Sequence, residues 1–192
     1  NFPETQDVNF TWEDFLRRNN DELVATWGNL ANRVLGFAFK RFAGAVPQPA
    51  ALDEADQALL AQLAPTFERV TALLEAVKLK QALETTMALA HEANRYLNLK
   101  EPWKQIKTDP GAAATTVFVA LRVIDTLKTL FAPFLPFTCQ RLHNYLGYEG
   151  ELFGRQYTEE IREASRTHLA LRYDRTGATG RWQISELAPG EK

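Results

Sequence analysis

The chain has 192 residues, of which 45% are hydrophobic, and a formal net charge of -2, a composition that suits one substantial globular core. No apolar run reaches the length of a membrane span, no amino-terminal signal pattern is present, and Cys139 is the single cysteine. These features argue against a membrane span or an internal disulfide in this chain and against bulk electrostatic binding of duplex nucleic acid, and they favour a cytoplasmic setting.

The first part of the chain has helical periodicity after an extended segment at residues 1–10. A helix begins at Thr11 and either continues through residues 19–20 or breaks there. The next helix covers residues 28–42 and ends before Pro47. Four apolar side chains at spacings of three and four residues are predicted to face the core from this region: Trp27, Leu30, Val34 and Phe37.

Four further helices follow. One is expected to be capped by Asp53, with Asp56 three residues later, and to continue to about residue 74 with a kink at Pro65. The others cover about residues 79–97, 111–131 and a last short stretch that ends at residue 147. The last helix is predicted to contain Leu142, Tyr145 and Leu146.

Residues 148–192 have a different pattern. Residues 159–165 predict a short helix, whereas residues 169–173 and 181–184 are rich in the residues typical of strands. The sequence therefore predicts an all-α fold with a short irregular or β-like carboxy-terminal tail.

One face of the helix at residues 28–42 is polar. Four residues recur on this face at spacings of four, three and four: the amide of Asn29, the guanidinium of Arg33, Gly36 without a side chain, and the ammonium of Lys40. Such a stripe can hydrogen-bond planar edges and pair with an anion, and the glycine lets a flat group approach the backbone. A solvated helix face explains the same pattern, so the stripe alone does not decide between the two readings.

A second candidate is the Pro102–Trp103 pair. Trp103 follows the proline and lies close to the charged residues Glu101 and Lys104, so it is expected to be the most exposed of the four tryptophans. Its ring can stack on a base. Residues 78–107 carry six Lys or Arg against three acidic residues, while residues 48–77 carry one against five. The local basic excess therefore lies on the segment that contains Trp103.

These motifs together resemble the anticodon-binding domain of methionyl-tRNA synthetases, over roughly residues 8–147 in order. The resemblance rests on the Asn29/Arg33 helix, on Ala93-Asn94-Arg95-Tyr96 and on Pro102-Trp103. It extends to the segments Arg18 to Leu23, Phe42 to Pro47, Leu135-Pro136 and Leu146-Gly147. It implies the helical bundle of class I synthetases at residues 11–147. It also implies that residues 1–10 lead in from a catalytic domain and that residues 148–192 form an extension packing back on the bundle or that domain.

The same resemblance implies a function and its residues. In that family the residues matching Asn29, Arg33 and Trp103 contact the CAU anticodon of tRNA, and Pro102 matches the support of the ring. Lys40 and Arg41 serve either the phosphate backbone or only the carboxyl end of their helix. Asn94 is interpreted as an interhelical hydrogen-bonding residue. The partners implied are a tRNA anticodon loop and the protein's own catalytic domain, with no membrane.

No catalytic chemistry is predicted within this chain. Its three histidines, His91, His143 and His168, lack a second ligand at metal spacing and are interpreted as surface or capping residues; Cys139 is interpreted as a packed thiol. The two signature sequences with which class I synthetases activate an amino acid do not occur, so ATP is expected to bind only in the catalytic domain. Two alternatives are a related synthetase for Val, Leu, Ile or Cys, and a helical protein-interaction module that uses Trp103 and Arg33 as anchors.

Overall fold

The computed structural model describes residues 9–191, which form eight α-helices, one π-helix and a two-stranded sheet. The elements are α1 Trp12–Arg17, the π-helix Arg18–Gly28, α2 Asn29–Phe42, α3 Glu54–Leu60, α4 Leu63–Glu75, α5 Leu79–Lys100, α6 Pro102–Thr108, α7 Pro110–Phe131, α8 Pro136–Tyr145, β1 Arg155–Arg162 and β2 Thr167–Asp174. The prediction of an all-α fold with a β-like tail is confirmed. The predicted lead-in at residues 1–10 lies almost entirely outside the described residues.

Helix α7 is the centre of the bundle. Every residue from Ala113 to Phe131 is buried except Arg122, and a helix that is apolar on all sides is one surrounded by other helices. Asp109 caps its first turn by accepting a hydrogen bond from the amide of Ala112. Helices α2, α3, α4, α5, α6 and α8 all contact α7, so the remaining helices are positioned relative to this one.

The first helical region continues without a break. Thr11 caps α1, because its hydroxyl accepts a hydrogen bond from the amide of Asp14 at 3.2 Å. The chain then passes directly into the π-helix and from there into α2. The break considered near residue 20 is absent, and the wider π turns connect α1 to the first residue of the polar stripe, Asn29.

The helix predicted from Asp53 is two helices rather than one kinked helix. Helix α3 ends at Leu60, and α4 begins at Leu63. Pro65 has no amide hydrogen, and its ring would clash with the carbonyl of Ala61 in a continuous helix. The chain therefore interrupts the helix just before the proline. The predicted cap is present as a full capping box between Asp53 and Asp56.

The carboxy-terminal tail contains a hairpin where the sequence predicted a helix at residues 159–165. Strand β1 pairs antiparallel with β2 in a register that places Arg155 opposite Asp174 and Arg162 opposite Thr167. The helix prediction was wrong because residues 159–162 find their hydrogen-bond partners across the hairpin, a non-local interaction that overrides local propensity. The strand predicted at residues 169–173 is confirmed within β2.

The strand predicted at residues 181–184 is also wrong. This segment has no strand partner among the described residues and is anchored by a side chain. Trp182 packs its ring 5.2 Å from that of Phe67 and donates a hydrogen bond to the Thr71 hydroxyl at 2.8 Å. Leu187 is buried in the same core. The tail thus packs on α4 and α7, while the predicted division into domains at residue 147 stays a prediction.

The end of helix α8 buries two of the three apolar side chains between residues 142 and 146. Leu142 and Leu146 are buried, whereas Tyr145 is 73% exposed. The two leucines are four residues apart and share one helix face, which leaves the intervening tyrosine at the edge of a surface groove.

Candidate nucleic-acid interface

Helix α2 presents the polar stripe to solvent because its opposite face is fixed in the core. Leu30, Val34 and Ala38 are buried, and the ring of Trp27 lies 4.9 Å from that of Phe131. These contacts determine the rotation of α2. The side chains on the other side are Asn29 and Lys40, which are exposed, and Arg33, which is half-buried.

The structure brings Arg33 and Trp103 into contact although 70 residues separate them. The guanidinium carbon of Arg33 lies 4.6 Å from the centre of the Trp103 ring, within the range of a cation–π interaction. The guanidinium also donates a hydrogen bond to the side-chain oxygen of Asn98 at 3.4 Å. The Arg33 guanidinium therefore contacts both the indole and Asn98, and the sequence analysis missed the contribution of Asn98.

Trp103 is mounted on a short and tightly connected helix. Glu101 joins α5 to α6 in the left-handed region, at φ 46°, which is uncommon for a residue other than glycine. Pro102 is buried at the first position of α6, where its fixed φ suits a helix start. Thr116 of α7 donates a hydrogen bond to the side chain of Gln105 at 3.0 Å, so the middle of α6 is also tied to α7.

The exposure predicted for Trp103 was wrong in degree. Its ring is half-buried and packs against the core, and Trp12 is the exposed tryptophan, at 71%. The flanking charges at Glu101 and Lys104 form an ion pair with each other and do not draw the ring into solvent. Trp103 therefore contributes to the packing of the bundle as well as to its surface.

A partly buried ionic cluster lies at the end of α5, directly before the helix that carries Trp103. The Lys100 ammonium is 2.5 Å from a carboxylate oxygen of Asp53 and 2.8 Å from one of Asp56. The Tyr96 hydroxyl donates to the same Asp56 oxygen at 2.7 Å. The hydrogen bond from Lys100 lowers the pKa of Asp53, and burial together with Asp56 raises the pKa of Tyr96. The cluster ties α5 to the start of α3, a connection that no local sequence pattern indicated.

The two basic residues at the end of α2 are exposed but differ in position. Lys40 continues the stripe, four residues after Gly36. Arg41 follows by one residue and so lies about 100° further around the helix. The geometry groups Asn29, Arg33 and Lys40 on one side of α2 and leaves Arg41 off that line.

Asn94 has the structural role that the sequence indicated. Its side-chain amide donates to the carbonyl of Thr26 at 3.1 Å and to that of Ala90 at 3.0 Å. The bond to Thr26 connects α5 to the π-helix that precedes the polar stripe.

A second polar cluster lies in the core, away from the stripe. Lys128 contacts Asp125 at 2.6 Å and the Nδ1 of His143 at 3.3 Å, and the ring of His143 stacks on that of Tyr148 at 4.7 Å. Burial lowers the pKa of His143 to about 4 and raises the pKa of Cys139 to about 12. The surface or capping role predicted for His143 was wrong, because the ring is buried; the packed thiol predicted at Cys139 is confirmed.

Neither a metal centre nor a membrane span is found in the part of the chain that the structure describes. Over residues 9–191 no group of three or more His, Cys, Asp or Glu side chains is placed to hold an ion. No helix in that range is long and apolar enough to cross a bilayer.

The protein is a helical bundle in which an arginine lies on a tryptophan ring beside a polar helix face. This is the architecture of the anticodon-binding domains of class I aminoacyl-tRNA synthetases. The model of the anticodon binding domain of methionyl-tRNA ligase matches residues 46–170. The chain belongs to that family. A second family model, class I tRNA synthetases of the methionine type, matches residues 1–35.

Similar proteins agree with this assignment. The chain is 55% identical over its full length to a methionine–tRNA ligase of Roseiflexus sp. and 53% identical over 98% of its length to one of Thermomicrobium roseum, and it covers 32% of each relative. The crystal structure of apo methionyl-tRNA synthetase of Mycobacterium tuberculosis superposes with a TM-score of 0.72 and 31% sequence identity. The match covers 75% of the present chain and 30% of the synthetase chain. The same enzyme bound by methionyl-adenylate gives 0.73. The chain thus spans about a third of the relatives it matches.

Proposed function

We propose that this chain binds the anticodon loop of a tRNA and distinguishes a CAU anticodon, as the non-catalytic part of a methionine–tRNA ligase. The observation that carries this proposal is the Arg33 guanidinium on the Trp103 ring, with Asn29 about one turn away on the same helix. A planar cation and an indole offer an unstacked base a flat surface. An adjacent amide supplies the donor and acceptor that reading a base edge requires.

Each residue of the site has its own role in this proposal. Trp103, supported by Pro102, stacks a base, and its ring position is fixed by α6. Asn29 and Arg33 hydrogen-bond base edges, and these bonds provide the selectivity. Lys40 and Arg41 contact phosphates and contribute affinity without sequence preference.

The remaining chemistry of the ligase is proposed for a part of the longer protein outside this chain. ATP and methionine would bind in its class I catalytic region, and the present chain is expected to show no methionine-dependent exchange of pyrophosphate into ATP. The same region is proposed as an intramolecular partner. Support comes from the exposed aromatic cluster of Phe10, Trp12 and Phe15, which lies within the residues matched by the class I model.

We also assign the longer protein to the cytoplasm and expect no membrane partner. The free, buried thiol of Cys139 is compatible with a reducing compartment.

Binding of the chain to RNA hairpins tests the reading function. A hairpin with a CAU loop and one with the same three loop bases permuted have equal charge, so a difference in affinity measures base reading alone. We expect tighter binding of the CAU hairpin. Equal affinities would contradict anticodon reading, and the absence of RNA binding together with capture of a protein by Trp103 and Arg33 would favour the interaction module.

A further inference from the structure

Gly36 is the one position of the polar stripe without a side chain, and it lies where two surfaces meet. It follows Arg33 by three residues and precedes Lys40 by four on the same side of α2. It also lines a groove of about 610 Å³ between α2 and α8. Lining groups of this groove include Asn32, Tyr145 and the opposite charges of Arg141 and Glu191.

The fold does not require a glycine at this position. A Cβ added to Gly36 would meet no atom within 4 Å, and its φ is not among the positive values. The other two glycines in helices, Gly28 and Gly111, have neighbours at 3.8 and 3.4 Å from such a Cβ. Because glycine is less stable than alanine in the interior of a helix, packing and backbone conformation both leave Gly36 unexplained.

We propose that Gly36 is a binding residue at which a single-stranded RNA crosses α2, with one nucleotide lying directly against the helix backbone. This inference rests on the anticodon-binding function proposed above and adds a contact position to it. Arg33 and Lys40, about one turn to either side on the same face of the helix, are the basic residues next to this open space, and a basic surface suits a sugar–phosphate strand. The nucleotide at Gly36 neighbours the base on Trp103, and the strand continues toward the groove beside α8.

A size series at this position separates binding from folding. Gly36→Ala and Gly36→Leu place a methyl and an isobutyl group into the space that the nucleotide would occupy. We expect the midpoint of thermal unfolding of Gly36→Ala to rise by about 1–4 °C, since alanine is the better helix former. Affinity for the CAU hairpin, measured by fluorescence anisotropy, should fall for both variants and further for leucine, by about 5- to 150-fold. Ala72→Leu, on an exposed face of α4, is the matched control and should bind as the parent does.

The outcomes distinguish this inference from the function on which it rests. Unchanged affinity of Gly36→Leu, with binding weakened by Trp103→Ala, would overturn the crossing at Gly36 and leave anticodon binding intact. Unchanged affinity of Trp103→Ala and Arg33→Gln would overturn both. A lower thermal midpoint for Gly36→Ala would show that the space is occupied by the fold itself and would also overturn the inference.

Discussion

Replacing Trp103 with alanine should reduce both the stability of the bundle and its affinity for RNA. A fully buried tryptophan costs about 3–5 kcal/mol on truncation to alanine. Trp103 is half-buried, so its packing accounts for about 2 kcal/mol, and loss of the Arg33 stack adds about 0.5–1 kcal/mol. The expected destabilisation is thus about 2–3 kcal/mol, which leaves a domain with a typical stability of about 5–15 kcal/mol folded.

Urea unfolding measures the first effect, and hairpin binding under conditions where both proteins are folded measures the second. The expected loss of binding is about 1–3 kcal/mol, the range for one stacked base. Trp12→Ala is the control, because that ring is 71% exposed and lies on α1; it should leave hairpin binding unchanged. Full affinity of Trp103→Ala for the CAU hairpin would refute the stacking role. An unchanged urea midpoint would refute the packing role derived from the structure.

Three further perturbations test other parts of the molecule. Arg33→Gln should reduce the preference for the CAU loop. Lys40→Gln should weaken binding to every loop alike and should lower the salt dependence of binding, measured in titrations at several ionic strengths. An equal loss of affinity for all loops with Arg33→Gln would make that residue a phosphate contact. Burial lowers the pKa of His143 to about 4 from an ordinary 6.5. As the pH falls from 6.5 to 4, the imidazole is protonated in the unfolded chain but stays neutral in the folded one. The free energy of unfolding should therefore decrease by at most about 1.4 kcal/mol for each pH unit of acidification in this range. His143→Gln should flatten this slope in urea titrations across that range, and an identical slope in the variant would contradict the neutral buried ring. In the proposed longer protein, Trp12 should be less oxidised in footprinting experiments than in this chain. Tyr145 is about equally exposed and lies outside the aromatic cluster, so it should react alike in both proteins. Equal labelling of Trp12 in both would argue against a contact between the catalytic region and α1.

Much of the helical fold was predictable because its determinants lie within each element. The capping box joins Asp53 to Asp56, only three residues further along the chain, and Pro65 interrupts a helix because its ring would clash with the carbonyl four residues earlier. The inward face of α2 follows from the spacing of its apolar residues alone. The common face of Asn29, Arg33 and Lys40 in the candidate site was likewise predictable, since the three residues lie on one side of a single helix.

The errors fell where a residue's state depends on a partner distant in sequence. The segment at residues 159–162 is a strand because β2 lies beside it, and residues 181–184 are not a strand because Trp182 is held by α4 instead. His143 is buried by the packing of α8 against α7 and by Tyr148. Local propensity carries no information on these partners.

The sequence by itself determined which groups this chain carries and where each lies on its own helix. These are the amide of Asn29, the guanidinium of Arg33, the indole of Trp103 after a proline, and Gly36 without a side chain. Only the tertiary structure decided that Arg33 lies on Trp103 and that Lys100 fixes the end of α5 through Asp53 and Asp56. The reason is geometric. A helix fixes the relative positions of its own side chains, but the contact between two helices depends on how both pack against a third, here the buried α7.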